Sequence, residues 1–219
     1  MKDEREIRLT AFIESVKTVQ PAYLEELLNK ALGEGVPVIR PQTRGLIRFL
    51  LETVRPLQIL EVGTGVGYSA LFMREYAPAA AILTIEADPA RAEEARQNFA
   101  KAGAQNITLA EDDAAKVLPE LSGPYDFVFM DGPKAQYLHY LPEVKRLMAE
   151  GAVLLSDNIL QEGEILESRY AVTRRNRTIH ARMRSYLEAL TEDPGLTTVI
   201  LGTGDGAAIT LKRRKTGHE

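Results

Sequence analysis

A chain of 219 residues with 45% apolar content has room for one α/β domain and is short for two. Its net charge of −4 argues against non-specific nucleic-acid binding by the surface as a whole, although not by a local patch. The absence of cysteine excludes disulfides and thiolate metal sites, and the longest apolar runs are far too short to span a bilayer.

Met1 to Thr10 is charged and lacks the apolar stretch of a secretory signal, so a cytoplasmic protein with no membrane association is expected. Residues 3–17 and 21–33 read as two helices, because Ile7, Phe12, Ile13 and Val16, then Tyr23, Leu24, Leu27, Leu28 and Leu32, recur at helical spacing. Pro21 suits a helix start, and Gly33 with Gly35 marks a stop. These helices form an N-terminal cap over residues 1–35, through which two copies are expected to pair as a homodimer. Val36 to Pro41 reads as an extended linker, and residues 42–54 as a helix with Leu46, Ile47, Phe49, Leu50 and Val54 apolar.

From there strands and helices alternate. Strands are predicted at 57–62, 81–86, 106–110, 125–130 and 151–156, with helices near 68–76, 89–102, 113–121 and 134–149. That alternation implies a parallel sheet with right-handed crossovers. After residue 160 comes a basic stretch and a helix to about Leu190. Leu196–Leu201 and Ala207–Leu211 then flank Thr203-Gly-Asp-Gly206 as a hairpin. The expected fold is α/β, a doubly wound, mostly parallel seven-stranded sheet with an antiparallel edge hairpin. It forms a single domain over 1–219, with its core in 36–211 and a frayed tail from Lys212.

The most informative stretch is Leu57-Gln-Ile-Leu-Glu-Val-Gly-Thr-Gly-Val-Gly-Tyr-Ser69. An apolar strand runs into Gly63, Gly65 and Gly67, and a helix begins near Tyr68, so backbone N–H groups face a ligand at the strand's carboxyl end. A dinucleotide loop would space its third glycine differently. Glu61 would repel a pyrophosphate at the mouth of this loop, but suits the ammonium of an amino acid. Glu86, at the end of the next apolar run, stands where an acid takes ribose hydroxyls. An amino-acid end plus a ribose describes S-adenosylmethionine.

Two later strand ends carry acids. Tyr125 to Met130 runs into Asp131, and Ala152 to Ser156 into Asp157-Asn158. Two carboxylates and an amide oxygen form a hard set that suits Mg²⁺, with Mn²⁺ or Ca²⁺ as alternatives. Each residue alone also suits a helix cap or a turn. Lys134 starts the next predicted helix. A cation nearby would disfavour its charged form and prepare it to remove a proton from a hydroxyl.

The pattern Glu61-Val-Gly-Thr-Gly-Val-Gly-Tyr-Ser69, Glu86, Asp113-Ala114, Asp131-Gly-Pro-Lys134, Tyr137 and Asp157-Asn158 resembles the cation-dependent class I O-methyltransferases, among them catechol and caffeoyl-CoA methyltransferases. The resemblance covers roughly residues 36–211. It implies that Asp131, Asp157 and Asn158 bind Mg²⁺ and that Lys134 is the catalytic base beside Asp131. It further implies that Glu61, Gly63, Tyr68, Ser69, Glu86, Asp113, Ala114 and Asp131 hold S-adenosylmethionine, with Val38 over one side. The chain departs from the family at Pro133 and Asp112, where a small residue and a glycine are more usual.

An acceptor for such chemistry needs an acidic hydroxyl beside another oxygen, as in a catechol or in 5-hydroxyuracil. Ser168 to Leu187 bears on the choice, with Arg169, Arg174, Arg175, Arg177, Arg182, Arg184, His180 and no acid. Guanidinium forks match phosphate, and a solvated helix face paired with acids elsewhere is the other reading. Ile179, Met183, Tyr186, Leu187 and Leu190 are expected to be buried, leaving Arg174, Arg177 and Arg184 mainly outward. Thr173 to Arg184 also resembles the bacterial branch that methylates 5-hydroxyuridine at the tRNA wobble position. The expected partner is therefore the anticodon region of tRNA, contacted by Arg174, Arg175, Arg177, Arg182 and Arg184. A small catechol or acyl-CoA phenol is the alternative acceptor, and a non-catalytic S-adenosylmethionine- or RNA-binding module is a third possibility.

Overall fold

The structure, a computed structural model, describes residues 20–168 and 170–215, together with Arg8, Ala11, Phe12, Ser15 and Val16. Most of the helix expected over 3–17, with Ile7 and Ile13, lies outside the described residues, as do Arg169 and the tail from residue 216.

The strands are β1 Gln58–Val62, β2 Ala81–Glu86, β3 Ile107–Glu111, β4 Tyr125–Met130, β5 Met148–Asp157, β6 Leu196–Leu201 and β7 Ala207–Lys212. They form one seven-stranded sheet in the order β3-β2-β1-β4-β5-β7-β6. β1 to β5 pair in parallel, and β7 runs antiparallel to both β5 and β6. The helices are α1 Ala22–Gly33, α2 Pro41–Val54, α3 Tyr68–Tyr76, α4 Pro89–Lys101, α5 Ala114–Glu120, α6 Tyr137–Leu147 and α7 Arg177–Glu192.

Alternate residues of the central strands enter two separate cores, as the pleat requires. Ile59, Phe127, Phe129 and Leu155 pack with α1 to α4 on one face, including Leu24, Leu51, Leu71 and Phe99. Leu60, Val128 and Leu154 pack with α5, α6 and α7 on the other, including Leu118, Val144 and Met183. Burial on both faces explains why these strands read as continuous apolar runs rather than alternating ones. β1 has β2 on one side and β4 on the other, so the strand order reverses there and leaves a crevice at the carboxyl ends.

Two local differences from the sequence reading bear on the site. The expected helix over 134–149 splits into a 3-10 turn, Lys134–Gln136, followed by α6, and β5 starts at Met148 instead of residue 151. Met148 pairs with Tyr125, and the register shifts before Phe127 meets Val153. Gly151, at φ +83°, lets the strand pass through that irregularity, which is why it reads as a boundary in sequence. On α7 the buried face is His180, Met183, Tyr186 and Leu190, with Ile179 and Leu187 only half-buried. His180 is buried with its Nε2 3.1 Å from the Glu167 carbonyl oxygen and its Nδ1 without a partner among the described residues.

Candidate active site

A cleft of about 540 Å³ opens at the carboxyl ends of β1 to β5. One side is lined by Val38, the Gly63–Val66 loop, Glu86, Asp113 and Ala114, and the other by Asp131, Lys134 and Asn158. Tyr68 and Ser69 line it from the start of α3.

The glycine loop has a steric reason for its composition. Gly63 sits at φ +100°, and a Cβ there would lie 2.5 Å from the Asp131 carbonyl oxygen, so any side chain would push β1 and β4 apart. Gly65, at φ +54°, faces open space instead. The Gly63 and Thr64 N–H groups donate to the Ile85 carbonyl at 3.0 and 3.2 Å, tying the loop to β2. Glu86 completes the latch by accepting from the N–H of Gly65 at 2.8 Å and of Asp88 at 2.9 Å. Asp113 caps α5, accepting from the Ala115 N–H at 2.8 Å. Both acids are therefore oriented by backbone while standing in the cleft wall.

Glu61 corrects the sequence reading. The sequence reading sets it at the mouth of the loop; it is fully buried beneath the cleft and does not line it. Thr84 Oγ1 donates to its Oε2 at 2.5 Å and lies 2.5 Å from Thr64 Oγ1, while Oε1 has no hydrogen-bond partner among the described residues. Burial pushes its pKa up to about 8, with Asp131 and Glu86 adding to the rise and Ser69 and Thr84 opposing it. Tyr68 holds a different contact: its hydroxyl donates to Gln20 Oε1 at 2.9 Å, tying the residue just before Pro21 and α1 to the start of α3.

At the other end Asp131, Lys134 and Asn158 converge. Lys134 Nζ donates to Asp131 Oδ1 at 2.8 Å and to the Tyr137 hydroxyl at 2.9 Å. Asn158, at φ +56°, turns its amide inward so that Nδ2 donates to Asp131 Oδ1 at 3.2 Å. Asp157 is only 2% exposed, and its Oδ1 accepts from Thr43 Oγ1 at 3.2 Å and from the Asn158 N–H at 2.9 Å. Its Oδ2 is buried with no partner among the described residues. Burial, then the Asp131 charge, pushes the Asp157 pKa up to about 6, against Lys134, the Asn158 N–H and Thr43. Among the described residues no group of three or more His, Asp or Glu side chains is arranged to hold a metal. The set here is two carboxylates and an amide. The orphaned Asp157 oxygen and the raised pKa fit a hard cation as the missing countercharge.

The arginine segment divides into two sets. Arg177 donates to the carbonyls of Val172 and Tyr170, Arg182 to Ala135 and Arg184 to Ile165, at 3.1 to 3.5 Å. These three tie the carbonyls of Ile165, Tyr170, Val172 and Ala135 to α7. Of the expected outward set, Arg174 and Arg184 are exposed and Arg177 is half-buried, and only Arg174 makes no hydrogen bond or ion pair among the described residues. Arg175 joins it; both are exposed, with no hydrogen bond or ion pair among the described residues. Sequence reasoning missed Thr43, Thr64 and Thr84, whose partners lie far along the chain and leave no periodic signal. Tyr137 was visible only as part of a motif, three residues beyond Lys134.

A Rossmann-like sheet with a glycine loop after β1 and acids at the ends of β2, β4 and β5 defines the class I methyltransferase type. Residues 14–215 match the family model described as O-methyltransferase, and the chain belongs to that family. It is 31% identical over 214 residues to catechol O-methyltransferase of Mycobacterium tuberculosis, covering 93% of this chain and 94% of that one. It is 35% identical over 127 residues to catechol O-methyltransferase of Sus scrofa, covering 54% of this chain and 68% of that one. Among solved structures, the SAH-bound methyltransferase PaMTH1 of Podospora anserina is similar with a TM-score of 0.87 and 25% identity, over 99% of this chain and 97% of that one.

Proposed function

We propose that the protein transfers the methyl group of S-adenosylmethionine to the 5-hydroxyl of 5-hydroxyuridine at the tRNA wobble position, in the cytoplasm, yielding 5-methoxyuridine. The observation that carries the chemistry is that Lys134, Asp131 and Asn158 share one cleft with the Gly63–Ser69 loop and Glu86. The donor half would bind the co-substrate, with Glu86 taking the ribose hydroxyls, Asp113 and Ala114 the base, and Val38 covering one side. That all four line the same cleft supports this reading. Ser69 in the cleft wall, with Glu61 buried beneath it, would answer the amino-acid end.

At the acceptor half, Lys134 takes the hydroxyl proton. The oxygen then forms a bond to the methyl carbon as the carbon–sulfur bond breaks, and S-adenosylhomocysteine leaves. Asp131, Asp157 and Asn158 would hold Mg²⁺, which when bound makes a hydroxyl more acidic and grips a neighbouring oxygen. Thr43 holds Asp157 from α2, so this side of the site is positioned by the helix that follows the N-terminal cap. What favours RNA is the pair Arg174 and Arg175, exposed and without ion-pair partners among the described residues of an acidic protein. A homodimer built through the N-terminal helices belongs to the same proposal.

A second reading is a small catechol or acyl-CoA phenol as acceptor, favoured by the 31% identity with the M. tuberculosis catechol enzyme along nearly the whole chain. The test is methyl transfer from labelled S-adenosylmethionine, with Mg²⁺ or with EDTA, to tRNA carrying 5-hydroxyuridine, to the same tRNA with uridine, and to catechol. Metal-dependent label confined to the hydroxylated tRNA is the expected result. Label mainly in catechol selects the second reading, and no label despite donor binding points to a non-catalytic module.

A further inference from the structure

The Tyr137 hydroxyl meets three groups at once. It lies 2.8 Å from the Met130 carbonyl oxygen at the end of β4, 3.3 Å from the Asp157 carbonyl oxygen at the end of β5, and 2.9 Å from Lys134 Nζ. The residue is fully buried, and its ring packs edge-on against Tyr186 with centroids 5.3 Å apart. A tyrosine hydroxyl ordinarily titrates only at pH ~10, so the phenol keeps its proton at neutral pH.

A neutral phenol has one proton to give. Both carbonyls are acceptors only, so that proton is committed to them, and the oxygen faces Lys134 with a lone pair. Lys134 must then donate one N–H to Tyr137. It donates another to Asp131 Oδ1, at 2.8 Å. An amine in its basic form has two N–H bonds and one lone pair in tetrahedral array. With both N–H bonds tied, the lone pair has one direction left, and Lys134 lines the cleft.

We propose that Tyr137 is a positioning residue: as an obligatory acceptor it works with Asp131 to aim the Lys134 lone pair at the acceptor hydroxyl. The proposal rests on Lys134 being the base. It holds whether the acceptor is RNA or a small phenol.

The test compares Tyr137→Phe, which keeps the ring, with Tyr186→Phe and Lys134→Met. Tyr186→Phe removes the other buried hydroxyl of the aromatic pair, bonded to Ser156 Oγ at 2.6 Å, without touching Lys134. With the acceptor that the wild-type protein methylates, Tyr137→Phe is expected to lower kcat on the order of 10- to 100-fold, as a displaced catalytic group does. Acceptor KM and donor affinity should stay within about threefold, and Tyr186→Phe should stay near wild type.

Across a pH series with the acceptor that the wild-type protein methylates, the Tyr137→Phe deficit should shrink as pH rises, because an acceptor already ionised needs no base. An acceptor of that class with a more acidic hydroxyl should shrink the deficit likewise. Acetylation of Lys134, followed by mass spectrometry without turnover, should change rate in Tyr137→Phe and not in Tyr186→Phe. An unchanged acetylation rate, an equal deficit at every pH and acceptor acidity, or the same loss in Tyr186→Phe overturns the proposal. Should Lys134→Met retain wild-type kcat, the base assignment itself fails. A slow Lys134→Met beside a normal Tyr137→Phe leaves that assignment standing and removes only the role of Tyr137.

Discussion

In the donor half of the cleft the acids are held by backbone: Glu86 accepts two N–H groups, and Asp113 caps α5. In the acceptor half Asp157 is buried with one oxygen unanswered among the described residues, and Glu61, beneath the cleft, is in the same condition. The first arrangement costs little without ligand, because each carboxylate already has charge-assisted hydrogen bonds and offers its spare lone pairs. The second ties down one oxygen of each carboxylate and leaves the other desolvated, without a partner among the described residues. It becomes favourable when a ligand brings positive charge. The donor half thus reads as a preformed surface, and the acceptor half as a site completed by what binds there.

Breaking the acceptor half at its base should give the largest effect. Lys134→Met is expected to lower kcat by about 10²- to 10⁴-fold while donor affinity, measured by calorimetry, stays near wild type. A parallel fall in donor affinity would mean that the two halves are not separable. Next comes the donor half. Glu86→Ala removes a charged hydrogen-bond acceptor and loosens Gly65, so donor affinity should drop by about 10-fold or more, with kcat at saturation affected less.

The contrast itself is sharpened by Glu61→Gln. The folded-state pKa of Glu61 is raised from the ordinary 4.5 to about 8, so the folded protein binds more protons than the unfolded chain between those values. Wild-type stability without ligand should therefore fall as pH rises through that window, by an amount on the order of a few kcal/mol. Glu61→Gln should flatten the fall in urea titrations at pH 5 and pH 9. If the two proteins follow the same pH course, Glu61 does not carry this cost.

The smallest effect is expected outside the cleft. Replacing Arg174 and Arg175 by Ala should weaken tRNA binding several-fold and reduce its salt slope by about 1 for each phosphate that is no longer neutralised. Replacing Arg177, Arg182 and Arg184 should instead lower thermal stability, because these guanidinium groups hold backbone carbonyls. A salt slope that responds equally to both sets would erase the division between them.

What was legible in the sequence follows the same division. A helix starting near residue 113, Gly63 and Gly65 in a turn, and acids at the ends of apolar strands are local patterns, in which neighbours along the chain supply the physics. Periodicity and strand–helix alternation also carried the sheet and its edge hairpin, because burial on one face or on both is written into residue order. Tertiary structure alone decided that Glu61 lies beneath the cleft, that Thr43 reaches Asp157, and that a tyrosine hydroxyl gathers two strand ends and a lysine. It also decided which arginines are committed to carbonyls. These properties depend on desolvation and on distances between residues remote in sequence, and a one-dimensional pattern holds neither.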